Sequence, residues 1–114
     1  MRTLTLVLVG PMTGIEDFNY PAFRAAAAQL RATGFTVIDP SENPEQPDWQ
    51  AYLRVSLAGV LNADAVATLP GYTTSQGARL ELHVSRKLGL PEFSVEAWLA
   101  KAEFDTKHAA ASGW

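Results

Sequence analysis

Thr3-Leu4-Thr5-Leu6-Val7-Leu8-Val9-Gly10 decides how the rest of this chain is read. The run has no polar alternation. A strand with one face in water alternates apolar and polar residues, whereas a strand covered on both faces does not. The apolar part, Leu4 to Gly10, is too short to span a bilayer. It also lacks the small-residue cleavage pattern of a signal peptide. The spacing therefore predicts a strand in the middle of a parallel sheet.

Working outward, Gly10-Pro11-Met12-Thr13-Gly14 breaks the strand and a loop continues to Asn19. Pro21 suits a first helical turn. Phe23, Ala27 and Leu30 share one face of a helix over 22–32, which Gly34 ends. Phe35 to Ile38 is a second short strand. Asp39 to Pro47 holds three prolines and reads as a loop. Asp48 caps a helix from Trp49 to Leu61, with Leu53, Leu57, Val60 and Leu61 at helical spacing. Asn62-Ala63-Asp64 turns into a third strand, Ala65 to Leu69. A helix from Ser75 to Leu88 follows, then Pro91-Glu92-Phe93 as a fourth strand. Ser94 caps a helix from Val95 to about Phe104. The segment 105–114 extends that helix, packs on a partner or frays.

Strands alternating with helices imply a three-layer α/β parallel sheet of four to five strands. One domain over 1–104 and a C-terminal tail over 105–114 account for all 114 residues. Ligands of such sheets bind outside the carboxyl ends of the strands. The loops 10–19 and 70–76 fall at that edge, and Asp39 lies nearby.

A hydrophobic fraction of 47% with mean hydropathy near zero fits an ordinary soluble globule. The net charge of −3, with Lys and Arg scattered, argues against a nucleic-acid groove. Without cysteine there is no disulfide, thiolate metal site or cysteine nucleophile, which suits the cytoplasm. His83 and His108 have no metal-ligand spacing. No cofactor or metal is implied.

The chemistry is concentrated in Thr74-Ser75-Gln76-Gly77-Ala78-Arg79-Leu80-Glu81. A small polar turn before a helix offers unpaired N–H groups and the positive end of the helix dipole. Glu81 lies four residues after Gly77, on the same helix face. A carboxylate placed there serves as nucleophile or base, or is merely a solvated helix residue. Ser75 reads as an N-cap, a ligand contact or both. Asn19 caps the helix at Pro21 or faces the site, Asp64 reads as a turn residue, Trp49 and Trp98 as packing residues, and Tyr72 as a residue able to stack on a base.

The succession Leu8-Val9-Gly10-Pro11-Met12-Thr13-Gly14, Asn19-Tyr20-Pro21-Ala22-Phe23, Asp39-Pro40, Asn62-Ala63-Asp64-Ala65, Leu69-Pro70-Gly71 and Ser75-Gln76-Gly77-Ala78-Arg79-Leu80-Glu81 resembles a small phage and bacterial family. That family is of unknown function and related to nucleoside 2-deoxyribosyltransferases and 2-deoxynucleoside 5-monophosphate N-hydrolases. The resemblance implies a flavodoxin-like fold with a nucleoside or nucleotide at the strand ends and no nucleic-acid or membrane partner. It also implies a homodimer or higher oligomer that completes the site across subunits.

Glu81 matches the glutamate that attacks C1′ of the deoxyribose, in the logic of retaining glycoside cleavage. The helix N-terminus would help keep it ionised. Ser75 matches the position that contacts the 5′-phosphate in the monophosphate hydrolases. The loop Gly10–Gly14 would lie against base or sugar, with Asn19, Asp39, Tyr72 and Gly77 as further substrate contacts.

Two positions depart from the enzymes. Val7 stands where they carry tyrosine, and Ser56 where they carry the aspartate that assists the leaving base. General acid–base help of roughly a hundred- to ten-thousand-fold is at stake there, with Asp39, Asp17 and Glu16 as candidate substitutes. The alternative expectation is a non-catalytic nucleotide-binding protein, a sensor or sequestering protein of phage or prophage origin. A weaker one is a site for an ADP-ribose or cyclic-nucleotide ligand.

Overall fold

A computed structural model describes residues 3–112, with side chains through residue 106. Four strands, β1 (Thr5–Val9), β2 (Thr36–Ile38), β3 (Ala65–Thr68) and β4 (Glu92–Ser94), form one sheet in the order β2-β1-β3-β4. All three pairings are parallel, with Leu6 beside Val37 and Ala65, and Ala67 beside Phe93.

Four helices cover the sheet: α1 (Tyr20–Ala32), α2 (Trp49–Asn62), α3 (Gln76–Lys87) and α4 (Val95–Ser112). Leu6 and Leu8 join Phe23, Ala26, Ala27 and Leu30 of α1 and Val95 and Trp98 of α4 in one core layer. Val7 and Val9 join Val60 of α2 and Ala78 and Leu82 of α3 in the other. The result is the expected three-layer, flavodoxin-like α/β fold. Among the described residues no helix is long and apolar enough to cross a membrane.

Alternate residues of β1 serve opposite layers, which explains why the run has no polar phase. Leu6, Val7, Leu8 and Val9 are all at most 2% exposed. Each contributes about 1.5–3 kcal/mol by leaving water. β1 begins at Thr5 rather than Thr3; Leu4, just before it, is 40% exposed, and its carbonyl accepts from the Thr36 N–H at 3.1 Å. Asp64 seats the amino end of the sheet: the Thr5 N–H donates to its carboxylate at 2.8 Å, and its own N–H donates to the Thr5 carbonyl at 2.8 Å. That structural role agrees with its reading as a turn residue.

α4 runs through to Ser112, past Phe104, so helix extension is the one of the three readings of the last segment that the described residues show. The Ser94 hydroxyl caps it by accepting from the Ala97 N–H at 3.1 Å. Trp98 anchors it, donating from Nε1 to the Val66 carbonyl at 2.8 Å and meeting Phe35 and Phe93 edge-on. Alanine, the best helix former, carries the helix onward. Trp114 lies outside the described residues.

Two glycines set how closely the layers approach. A Cβ on Gly59 would stand 3.0 Å from Ile38 Cγ2, so the carboxyl end of α2 lies close on the sheet. A Cβ on Gly10 would stand 2.8 Å from Leu69 Cβ and 3.4 Å from Phe23 Cζ, where β1 leaves the sheet. Leu69 Cβ belongs to a backbone-anchored position with little room to retreat. Gly10→Ala is therefore expected to destabilise the fold by about 1–3 kcal/mol. Urea unfolding would measure this, and an unchanged midpoint would contradict the close approach.

Candidate functional site

A cavity of about 350 Å³ lies at the carboxyl edge of the sheet. Three segments wall it: the β1 loop with Gly10, Met12 and Thr13, the β2–α2 loop with Pro40, Asn43 and Gln46, and the start of α3 with Ser75, Gly77, Ala78 and Glu81. The amino-terminal half of α2 closes it with Trp49, Tyr52, Leu53 and Ser56. Of α2 only Val60, near the carboxyl end, is fully buried. The first turns of the helix therefore stand over the cavity rather than on the sheet.

α3 positions the polar groups. Ser75 is its N-cap, and the Ser75 hydroxyl accepts from the Ala78 N–H at 3.2 Å. Ser75 is thus a cap that also lines the cavity. The 3-10 turn Tyr72–Thr74 precedes it, entered through Gly71 at φ 86°. Ala78, Leu82 and Ser85 face the sheet and fix the helix rotation. Glu81 follows Ala78 by three residues and turns into the cavity beside Gly77.

Burial pushes the Glu81 carboxyl up to about 8. Some solvent reaches it through the mouth, but the surrounding wall removes much of the water that would stabilise its charge. Among the described residues its carboxyl group has no hydrogen-bond or ion-pair partner. Among the described residues no Lys, Arg or His side chain lines the cavity. The expectation that the helix N-terminus keeps Glu81 ionised is therefore corrected. Glu81 sits beyond the first turn, where the dipole's influence has faded, and desolvation prevails.

Gly10, Met12, Thr13, Ser75, Gly77 and Glu81 thus share one cavity, as expected. Other expected contacts lie elsewhere. Pro11 is buried against Gly71, whose Cβ would meet Pro11 Cγ at 3.3 Å, and Gly14 makes a turn at φ 83°. Asn19 neither lines the cavity nor caps α1 with its side chain; its Nδ2 donates to the Pro11 carbonyl at 3.0 Å. Asp39 is buried and caps the turn Pro40–Glu42 by accepting from the Ser41 N–H at 2.9 Å. Tyr72 packs on the layer with Val7 and Val66 and borders a separate depression with Arg79, His83 and Arg86. Of the candidate substitute acids, Glu16, Asp17 and Asp39 do not line the cavity. Asp48 does, with Oδ1 accepting the capping N–H of Ala51 at 2.8 Å.

The residues that the sequence reading missed are mostly aromatic. Phe18, Tyr20, Trp49 and Tyr52 all border the cavity. Trp49, expected to pack, is 42% exposed, and Phe18 is 60% exposed. The usable signal was topological: every loop after a strand reaches this edge, including the proline-rich segment after β2. No linear motif marks Phe18. It is presented by Asp17, Phe18 and Asn19, three successive residues with φ of 54°, 53° and 62°. Left-handed backbone costs an ordinary residue about 1–2 kcal/mol, and strain of this kind gathers at functional sites. Among the described residues no cluster of His, Cys, Asp and Glu gathers as a metal site.

A carboxyl group whose pKa rises on folding favours the folded state less as pH increases. Below its ordinary value of 4.5 both states hold the proton and folding loses nothing. Between 4.5 and about 8 the unfolded chain releases the proton while the folded one keeps it. Stability then falls by up to about 1.4 kcal/mol per pH unit. Glu81→Gln is expected to raise Tm by roughly 5 °C or more at pH 8 and to leave it nearly unchanged at pH 4.5. Calorimetry at both pH values would show this, and equal shifts would contradict a desolvated carboxyl.

No curated protein matches the sequence. Residues 4–93 match the family described as "Domain of unknown function (DUF4406)", and with most of its length and the whole sheet through β4's Phe93 inside that match, the chain belongs to this family.

Proposed function

We propose that this protein binds a (deoxy)nucleoside 5′-monophosphate in the strand-end cavity and cleaves or transfers at its N-glycosidic bond, with Glu81 as nucleophile. The observation that carries this reading is Glu81 itself, a partnerless, desolvated carboxyl group one turn from the polar start of α3. A group held at such cost, with no structural contact to explain it, suits chemistry. The resemblance to the deoxyribosyltransferases and monophosphate hydrolases supports it. The phosphate would sit at Ser75 and Gly77 against the N–H groups opening α3, since among the described residues the cavity lining offers no cationic side chain.

In this mechanism the ionised Glu81 carboxylate attacks C1′ as the bond to the base breaks. Water or a second base then releases the sugar from the glutamate ester. Only the ionised form attacks, so kcat/KM is expected to rise about tenfold per pH unit and to level off above about 8. Glu81→Gln is expected to abolish base release. Overnight incubation with deoxynucleosides and their 5′-monophosphates, read by chromatography for free base, tests both. Release that survives in Glu81→Gln would end the reading.

A second reading is a non-catalytic nucleotide-binding protein that senses or sequesters its ligand. Ser56 favours it: this side chain lines the same cavity as Glu81 yet cannot protonate a leaving base. Val7, at the other departure, is 2% exposed in the core. Ser56→Asp separates the two readings. A rise in turnover of ten-fold or more is expected of an enzyme lacking its acid, and unchanged turnover favours the binder. Cytoplasmic residence and a homo-oligomer belong to the same proposal. Exposed Leu61, Leu80 and Leu88 on and beside α2 and α3 are in keeping with self-association.

A further inference from the structure

The apolar mouth of the cavity has a shape and a cost that the attack at Glu81 does not explain. Phe18 and Trp49 both line the cavity and are 60% and 42% exposed. They come from different elements, Phe18 from the turn Glu16–Asn19 and Trp49 from the first position of α2. Two further rings line the same cavity: Tyr20, with its centroid 5.9 Å from that of Phe18, and Tyr52, three residues along α2 from Trp49. The Arg24 guanidinium lies over the Tyr20 ring, 5.5 Å from its centroid.

Phe18 is held by backbone that a phenylalanine rarely adopts. Asp and Asn tolerate left-handed φ, but a bulky aromatic residue does not readily. The segment is pinned where it rejoins α1, by the hydrogen bond from Asn19 Nδ2 to the Pro11 carbonyl. Two polar amides belong to the same wall. Gln46 Nε2 donates to the Pro44 carbonyl at 3.2 Å, which leaves its side-chain oxygen free of that contact. The Asn43 side chain lines the cavity with no hydrogen bond among the described residues.

We propose that this mouth is a clamp for a planar heteroaromatic ring, with Phe18 and Trp49 as its exposed faces and Asn43 at the ring's polar edge. Asp17–Asn19 acts as the strained strap that positions Phe18. Exposed aromatic faces stack on flat rings irrespective of sequence or sugar. A free amide offers both a donor and an acceptor to the edge of such a ring. The inference rests on the proposed function only in taking the ring to be the base of the same ligand.

Trp49 emission is the direct readout. Adenine, hypoxanthine, cytosine and thymine, their deoxynucleoside 5′-monophosphates and 2′-deoxyribose 5-phosphate are titrated into wild type, Trp49→Phe and Phe18→Ala. Quenching by ring-bearing ligands is expected in wild type and Phe18→Ala but not in Trp49→Phe. Phe18→Ala is expected to raise their Kd about tenfold, with circular dichroism unchanged. Asn19→Asp tolerates the left-handed backbone but cannot donate to Pro11. It is expected to weaken ring binding several-fold and to leave deoxyribose 5-phosphate binding as it was.

No quenching by any ring-bearing ligand at millimolar concentration, or equal affinity in Phe18→Ala, would overturn the clamp. Equal losses for ring and sugar phosphate in Asn19→Asp would overturn the strap. Ring binding without base release would retain the clamp and remove the glycosidase reading. Base release with a silent Trp49 and an unchanged KM in Phe18→Ala would do the reverse.

Discussion

The burial of β1 on both faces is the constraint on which the rest of the molecule depends. Leu6 and Leu8 need one helical layer, and Val7 and Val9 need another. Among the described residues four α-helices supply them, two per layer. Parallel pairing on both sides of β1 then brings every strand's carboxyl end to one edge. The loops that leave those ends are forced together, and the cavity is what they enclose.

The two ends of α2 serve different surroundings. At its carboxyl end Gly59 and Val60 let the helix come down on the sheet. At its amino end Trp49, Tyr52, Leu53 and Ser56 have no strand beneath them and roof the space in front of Glu81. The same arrangement removes water from the Glu81 carboxyl without giving it a partner. A solvated glutamate would be fully ionised at neutral pH, whereas this one exchanges charge for proximity to whatever enters. Loss of ordinary acidity and gain of position are one event, since the wall that shapes the cavity also desolvates the group.

Ser75, Gly77 and Glu81 were legible along the chain because they fall within the cap and first two turns of one helix, and helical spacing puts Gly77 and Glu81 on one face. The strand runs were legible for the same reason: Thr5–Val9 and Ala65–Thr68 carry their burial in their composition. Asn19, Asp39 and Tyr72 were misplaced because they sit in loops, where direction depends on contacts rather than on period. Asn19 turns to the Pro11 carbonyl, Asp39 to the Ser41 N–H, and Tyr72 to the core beside Val66. Trp49 reads along the chain as a packing residue because large aromatic side chains carry much apolar surface. Its place at the first turn of a helix that stands off the sheet reverses that.

By itself the sequence determined the order of elements, the two-sided burial of the sheet, the caps at Asp48, Ser75 and Ser94, and the position of Glu81 one turn into α3. These follow from local spacing and side-chain chemistry, which act within a few residues. Only the tertiary structure decided that Ser56 and Glu81 share a cavity, that Glu81 is desolvated rather than ionised by the helix end, and that Phe18 and Trp49 line that same cavity. Those outcomes depend on distances between elements far apart in the chain, and on water excluded by walls that no single segment carries.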